Sequence, residues 1–280
     1  MELQAILERF GIVMAKTNIP VISVVIQTKQ TPPMILKRCI QCIREQTYPQ
    51  IEIILLDSND DDSRYKESIK EDKELLENII HLEIPEGGEF VEGKNTALKT
   101  FHGDYITFIS AQDVMPACRL EEIITIMEEN HSYNTVYTDM SIQQSNVLEI
   151  SDFSLISKNF EYLPQLVFHR EAFQWIGEFD CDLVAHCDDD IWFRLNSLHL
   201  PHHVSSPETT VYVCPDCYND YPALESAIGC RQLMVKYDSL FQRNKKMKKR
   251  HYKKIAEEYK KARVLHRHIQ FWAKAFFTKK

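Results

Sequence analysis

Three stretches of this chain carry residue types that can do chemistry on a polar ligand. Asp57 follows the apolar run Ile51–Leu56 and opens the polar segment Asp57-Ser58-Asn59-Asp60-Asp61-Asp62-Ser63. Ser110-Ala111-Gln112-Asp113 follows a second such run, Tyr105–Ile109. Asp188, Asp189 and Asp190 stand immediately before Ile191-Trp192-Phe193-Arg194-Leu195. A carboxylate in such a place can accept a ligand's hydrogen bond, hold a hard cation or take up a proton. Each also has a plain structural use. Asp57 can satisfy amides in its own turn, and acids at a helix start cap it and complement its dipole. Cys39/Cys42 and Cys214/Cys217 form two Cys-x-x-Cys pairs that together could make a tetrahedral zinc site. The first pair lies inside an apolar helical pattern, where buried free cysteine is common, so a shared zinc site is not expected. His199, His202 and His203 read as surface histidines rather than ligands.

The elements that must position these groups alternate. Val21–Gln27 and Ile51–Leu56 read as strands, the second almost wholly apolar, as befits a parallel strand covered on both faces. Ile79–Glu83, Tyr105–Ile109 and Thr135–Thr138 read as further strands, with a tight turn at His102-Gly103-Asp104. Helices are expected over Met34–Gln46, Ser68–Asn78, Glu92–Phe101 and Arg119–Asn130, the last with Leu120, Ile123, Ile124 and Met127 on one face. This alternation predicts an α/β fold, a mostly parallel sheet with helices on both faces. Ligands of such sheets bind beyond the carboxyl ends of the strands, where Asp57 and Ser110–Asp113 fall. Leu3, Ile6, Leu7 and Phe10 predict a short amphipathic helix in residues 1–17, packed on the domain. Ser141–Asn159 reads as irregular, His199–Val213 as a strand pair, and everything after about Pro222 as helix.

Composition narrows the classes. With 7 glycines in 280 residues and neither a GxGxxG nor a Walker loop, a dinucleotide or P-loop site is not expected. The N-terminal pattern is not a secretion signal, and no apolar run reaches the roughly 20 residues of a membrane span, so a cytoplasmic protein with free thiols is expected. The net charge of −8 is unevenly shared. From Arg243 onward there are 15 Lys/Arg against 2 Glu, leaving 18 Lys/Arg against 39 Asp/Glu before it. An acidic body with a basic end suggests that the end meets a polyanion.

Gly93 to Pro116, GKNTALKTFHGDYITFISAQDVMP, resembles the core of a family-2 glycosyltransferase of the GT-A fold, where a segment of the type GEYIAFLDADD carries the DxD motif. Three other segments resemble the family in the same order: Pro20 to Thr28 its opening PxVSVIIPT strand, Gln46 to Asp57 its QTYPxxEIIVVDDGS, and Gly177 to Leu195 its GGFDExLxxxEDxDLWLRL. Leu166–His169 and helices at Glu171–Trp175 and Asp190–Ser197 resemble the family's acceptor half. The resemblance implies a Rossmann-like GT-A domain over residues 18–222, and the charge and spacing after it read as a basic amphipathic helical tail over 223–280. The resemblance also implies transfer of a sugar from a nucleotide donor, UDP-linked, to an acceptor hydroxyl with inversion, in glycan or polysaccharide biosynthesis.

Residue by residue, Asp57 would meet the uracil ring, and Thr28 and Ser110 would help hold the donor, Ser110 at the ribose. Lys94 stands where the family has Arg, near the base or pyrophosphate, as a point charge without the bidentate fork. Gln112 takes the place of the acid that binds Mg²⁺ or Mn²⁺; a neutral amide is a weaker ligand, and the neighbouring Asp113 is the carboxylate that could substitute. Asp188 matches the catalytic base, with Cys187 in place of the preceding Glu and Asp190 as a structural cap. A downstream Arg/His contact to pyrophosphate is not recognisable near Tyr212–Tyr221. Gln112, Cys187 and that missing contact motivate a second expectation, a non-catalytic homologue acting as a binding scaffold or regulatory partner.

The implied partners are a nucleotide-sugar donor and a glycan or lipid-linked acceptor. The basic end, residues 243–280, carries Ile269, Phe271, Trp272, Phe276 and Phe277 among its cations, which suits the surface of an anionic membrane. A peripheral position at the inner face of the membrane is therefore expected, with docking to a homo-oligomer or partner subunit as the alternative and nucleic acid behind both.

Overall fold

The structure, a computed structural model, describes residues 19–84, 90–143, 153–157, 162–198, 201–206, 209–214 and 221–278. The expected helix in residues 1–17 lies outside them, as do His199 and Cys217. Strand β1 (Ile22–Thr28) is wholly buried. It is followed by α1 (Pro33–Arg44), β2 (Ile51–Asp57), α2 (Arg64–Glu71), β3 (Ile79–Glu83), α3 (Phe90–Thr100), β4 (Tyr105–Ser110), α4 (Arg119–Glu129) and β5 (Thr135–Thr138). Then come β6 (Met140–Gln143), β7 (Phe153–Ser157), β8 (Leu166–His169), α5 (Ala172–Ile176), α6 (Cys187–Ser197), β9 (Pro201–Val204) and β10 (Val211–Val213). The chain closes with α7 (Ala223–Lys236), α8 (Asp238–Arg243), α9 (Lys245–Lys261) and α10 (Leu265–Phe277).

The main sheet runs β3-β2-β1-β4-β8-β5-β9, parallel except for β8, which is antiparallel to both neighbours. Alternation along the strands divides its side chains between two covered faces. Val24, Ile26, Leu55 and Ile109 meet Leu36, Ile40 and Ile43 of α1 and Leu120, Ile123 and Ile124 of α4. Val25, Ile54, Leu56 and Phe108 face the other way, with Ala97, Phe168, Ile191 and Leu195. The turn before β4 needs Gly103: a Cβ there would stand 2.5 Å from Ser23 Oγ and 2.7 Å from Tyr105 O.

Four expectations are corrected. The helix assigned to Ser68–Asn78 is Arg64–Glu71, because Ser63 Oγ caps it by accepting from Tyr65 N and Asp72 breaks it, its side chain accepting from Leu75 N. The irregular stretch 141–159 contains β6 and β7, which join β10 in a second sheet. β9 and β10 do not pair with each other: β9 adds to β5 and β10 to β6. Helix α6 begins at Cys187, not Asp190, so all three aspartates lie in its first turn.

The last four helices pack back on the domain. Leu233 and Phe241 join Leu183 and Phe193 in one apolar cluster, and Ala227, Cys230, Ile255, Tyr259 and Phe271 form another. Between α9 and α10 the chain turns through Arg263 at φ 58°. Arg263 N donates to Lys260 O at 3.0 Å and Val264 N to Tyr259 O at 2.8 Å, the bond pair of a Schellman turn with arginine in the place glycine usually takes.

Candidate active site

The register of β1 with its two neighbours sets the first half of the site. Thr28 lies opposite Asp57, and Gln27 lies opposite Ser110. The carboxyl ends of β1, β2 and β4 therefore place Thr28, Asp57 and Ser110 side by side. Asp57 is fully buried. Its Oδ1 accepts from Asn59 N at 3.0 Å and Asn59 Nδ2 at 2.7 Å, and Oδ2 faces His81 Nε2 at 3.3 Å. Burial pushes its pKa upward, but the His81 and Asn59 bonds outweigh it and hold the carboxyl below its ordinary range. Beside it, Thr28 Oγ1 and Ser58 Oγ are buried with no hydrogen-bond partner among the described residues, and Ser58 N donates to Thr28 O at 3.0 Å. Buried hydroxyls without partners are uncommon. Two of them next to an ionised carboxylate leave polar capacity for a ligand.

The loop after β4 is tied inward. Asp113 is fully buried, with Oδ2 accepting from Ser110 N at 2.7 Å and Oδ1 from Cys214 N at 3.0 Å. Val114 and Tyr212 exchange backbone bonds of 3.1 and 2.9 Å, bringing the end of β10 under the loop. Asp113 thus braces the loop from inside, a different place from the open carboxylate expected at the metal position. Gln112 is the more exposed of the two, and its Oε1 accepts from Cys214 Sγ at 3.4 Å. Ser110 Oγ accepts from Gln112 N at 3.3 Å.

Asp188 is met by Lys94. Gly93 lies against the sheet, where a Cβ would run into Ile84 and touch Leu56 at 3.5 Å. Lys94 Nζ lies 2.5 Å from Asp188 Oδ1 and 4.0 Å from Cys187 Sγ. The Lys94 side chain is 4% exposed and that of Asp188 22%. A solvated helix lysine is excluded. Burial works against the ammonium, but Asp188 and Cys187 outweigh it, leaving the lysine pKa above its ordinary value. Cys187 does not replace the lost acid: burial pushes its thiol up to about 12, so it stays protonated near neutral pH.

The other two aspartates hold the helix start in place. Asp189 Oδ2 pairs with His186 Nδ1 at 3.2 Å and Lys254 Nζ of α9 at 3.0 Å. Asp190 pairs with Arg194 at 2.7 Å and Lys236 of α7 at 2.7 Å, and accepts from Tyr237 Oη at 2.6 Å. His186 precedes α6 in the left-handed region at φ 66° and bonds Ser226 Oγ at 2.9 Å. Three successive carboxylates are thus held by cations from α3, α9 and α7. The sequence reading missed His186, which lies only three residues before its partner Asp189, and Lys236 and Lys254, whose partners lie more than forty residues away where no local pattern marks them. An unbroken aspartate triplet was the one signal that several cations had to converge there.

The chain belongs to the glycosyl transferase family 2, whose family model matches residues 23–167, more than half of it. An uncharacterized glycosyltransferase of Methanocaldococcus jannaschii, MJ1057, is 26% identical over 187 residues, 62% of this chain and 64% of that one. One from Haemophilus influenzae is 26% identical over 160 residues, 53% of this chain and 58% of that one. The matched stretch thus spans about three fifths of these curated relatives. Among solved structures, S. aureus TarS 1-349 in complex with UDP superposes with a TM-score of 0.54 at 12% identity, over 91% of this chain and 90% of that one. The mannosyltransferase PcManGT of Pyrobaculum calidifontis, in complex with GDP-Man and Mn2+, gives 0.55 at 15% identity, over 94% and 77%. The seven-stranded sheet and its flanking helices are those of the GT-A fold.

The donor set does not fit a divalent cation held by protein alone. Asp113 gives both oxygens to backbone amides, Gln112 is neutral, and the described residues contain no group of three His, Cys, Asp or Glu able to hold a metal. Cys39 and Cys42 point to the carbonyls of Ser110 and Met115. His202 stacks on Tyr133, and His203 pairs with Asp139 at 2.8 Å.

Proposed function

We propose that this chain transfers a sugar from a UDP-linked donor to an acceptor hydroxyl with inversion at the anomeric carbon, in the assembly of a glycan or polysaccharide. The observation that carries the reading is the pair of unpartnered hydroxyls, Thr28 Oγ1 and Ser58 Oγ, flanking the ionised Asp57. A uracil ring offers an imide N–H to a carboxylate and carbonyls to hydroxyls. In this reading Ser110, at the end of the neighbouring strand, serves the ribose. Lys94 supplies the positive charge for the diphosphate, where a lysine acts as a point charge.

In an inverting displacement the acceptor oxygen attacks the anomeric carbon while the bond to the diphosphate breaks and its electron pair leaves with the nucleotide. The acceptor proton must go to a base in the same step. Asp188 is that base in this reading: it is paired with Lys94, partly open to solvent, and fixed by the clasped first turn of α6. No step is assigned to a metal. The chain's own residues bind the nucleotide, hold the lysine and receive the proton.

The test is UDP release from a panel of UDP-sugars with glycan and polyprenyl-linked acceptors. Asp188→Asn is expected to lower kcat by roughly 10²–10⁴-fold while leaving donor affinity nearly unchanged. Normal turnover by the variant would remove Asp188 from the role. Donor binding without turnover by the wild type would favour the scaffold reading, to which the inward-turned Asp113 and neutral Gln112 also lend support.

A further inference from the structure

Among the described residues, the C-terminal helices leave one face uncovered. α10 packs through Phe271 and Ala275, which are 5% and 2% exposed. The Phe271 ring stacks on Tyr259, and His268 Nδ1 meets Ala256 O at 2.9 Å. Leu265, Ile269, Trp272 and Phe276 recur at i, i+4, i+7 and i+11, which is one stripe along a helix. All four are between 54% and 65% exposed. Trp272 and Phe276 stack at 5.6 Å, and Phe276 meets Phe277 at 5.3 Å, so the aromatic end of the stripe is continuous. Contiguous exposed apolar area of this kind marks an interaction site.

Charge selects the partner. The segment from Arg243 onward carries 15 Lys/Arg against 2 Glu, and Lys253, Lys260, Arg263 and Lys274 are exposed. A second copy meeting stripe to stripe would bring two such segments together, and like charges across an interface oppose it. An anionic bilayer answers both features, taking the aromatic stripe into its interfacial layer while the long cationic side chains stay at the headgroups. No helix of the described residues is long and apolar enough to cross a membrane, so the contact is lateral.

We propose that α10 is a bilayer-contact surface for anionic phospholipid. The proposal needs no donor and no turnover, so its failure is separate from failure of the transferase reading. The experiment is flotation of the full chain with vesicles of phosphatidylglycerol and phosphatidylcholine, and with phosphatidylcholine alone. Wild type should float with the first and not the second, and about 0.5 M salt should release it, because surface attraction decays within a Debye length. The double variant Trp272→Glu, Phe276→Glu should partition at least about tenfold more weakly with an unchanged circular dichroism melt, both positions being on the surface. Failure of wild type to float, equal binding to both vesicle types, or unchanged binding by the double variant overturns the proposal. So does a lipid-free dimer that the double variant converts to monomer, which would give the stripe to a second copy.

Discussion

Asp189→Asn is expected to loosen the C-terminal helices and to erase a specific pH dependence. Asp189 is the shared counter-ion of His186 and Lys254. For His186, burial lowers the pKa, but the bonds to Asp189 and then Cys230 outweigh it and raise the imidazole from 6.5 to about 9. A rise of that size is worth roughly 3 kcal/mol at 1.36 kcal/mol per pKa unit. The Asp189 and Lys254 side chains are 31% and 42% exposed, so solvent screening reduces this; a working figure is about 1.5 kcal/mol. A folded-state pKa above the unfolded one means that the native protein binds the extra proton. The stabilisation is therefore complete below about pH 6.5 and is lost as pH rises towards 9. His251, held at about 4 by burial, works against folding as pH falls through 6.5, so it offsets a small part of the trend at the acid end of the series and none of it above pH 7.5. Cys187 adds its own loss only as the unfolded thiol ionises near pH 9. Urea unfolding at pH 6.5, 7.5 and 8.5 should show wild-type stability falling by about 1 kcal/mol or more across the series. Asp189→Asn should be about 2 kcal/mol less stable at pH 6.5 and nearly flat. A flat wild type, or a variant with the wild-type slope, would refute the clasp.

Gln112→Asp should restore an open carboxylate next to the braced Asp113. Calorimetry should then detect Mn²⁺ binding without nucleotide that the wild type lacks, and tight binding of Mn²⁺ to wild type alone would contradict the inward placement of Asp113. Arg263→Gly should stabilise the protein by about 0.5–1 kcal/mol, since a left-handed L-residue costs roughly 1–2 kcal/mol and glycine returns part of that as unfolded-chain entropy. Urea midpoints compare the two, and a lower midpoint for the variant would mean that Arg263 makes contacts outweighing its backbone strain.

The parallel sheet was legible because its strands are nearly continuous apolar runs ended by polar loops. Ile51–Leu56 before Asp57 and Tyr105–Ile109 before Ser110 could be read without partners. The second sheet was not, since Met140–Gln143 and Val211–Val213 are too short to show a period. The carboxyl-edge residues were legible by type and place, and their contacts were not. Nothing in GKN or CDDD says that Lys94 and Asp188 meet across 94 positions, or that Asp113 turns inward to the amides of Ser110 and Cys214. The C-terminal segment was read as an appended tail because its cations dominate the pattern. Its buried positions, such as Leu233, Phe241 and Phe271, are spread through that charge and become visible only against Phe193 and Tyr259.

The most direct measurement of the central claim is a calorimetric titration of UDP into wild type, Asp57→Asn and Asp188→Asn. Wild type should bind saturably. Asp57→Asn should bind at least about tenfold more weakly, as loss of a hydrogen bond to a charged group implies, while Asp188→Asn stays close to wild type. Absence of saturable UDP binding to the wild type, or equal affinity in Asp57→Asn, would contradict a nucleotide site at the ends of β1, β2 and β4.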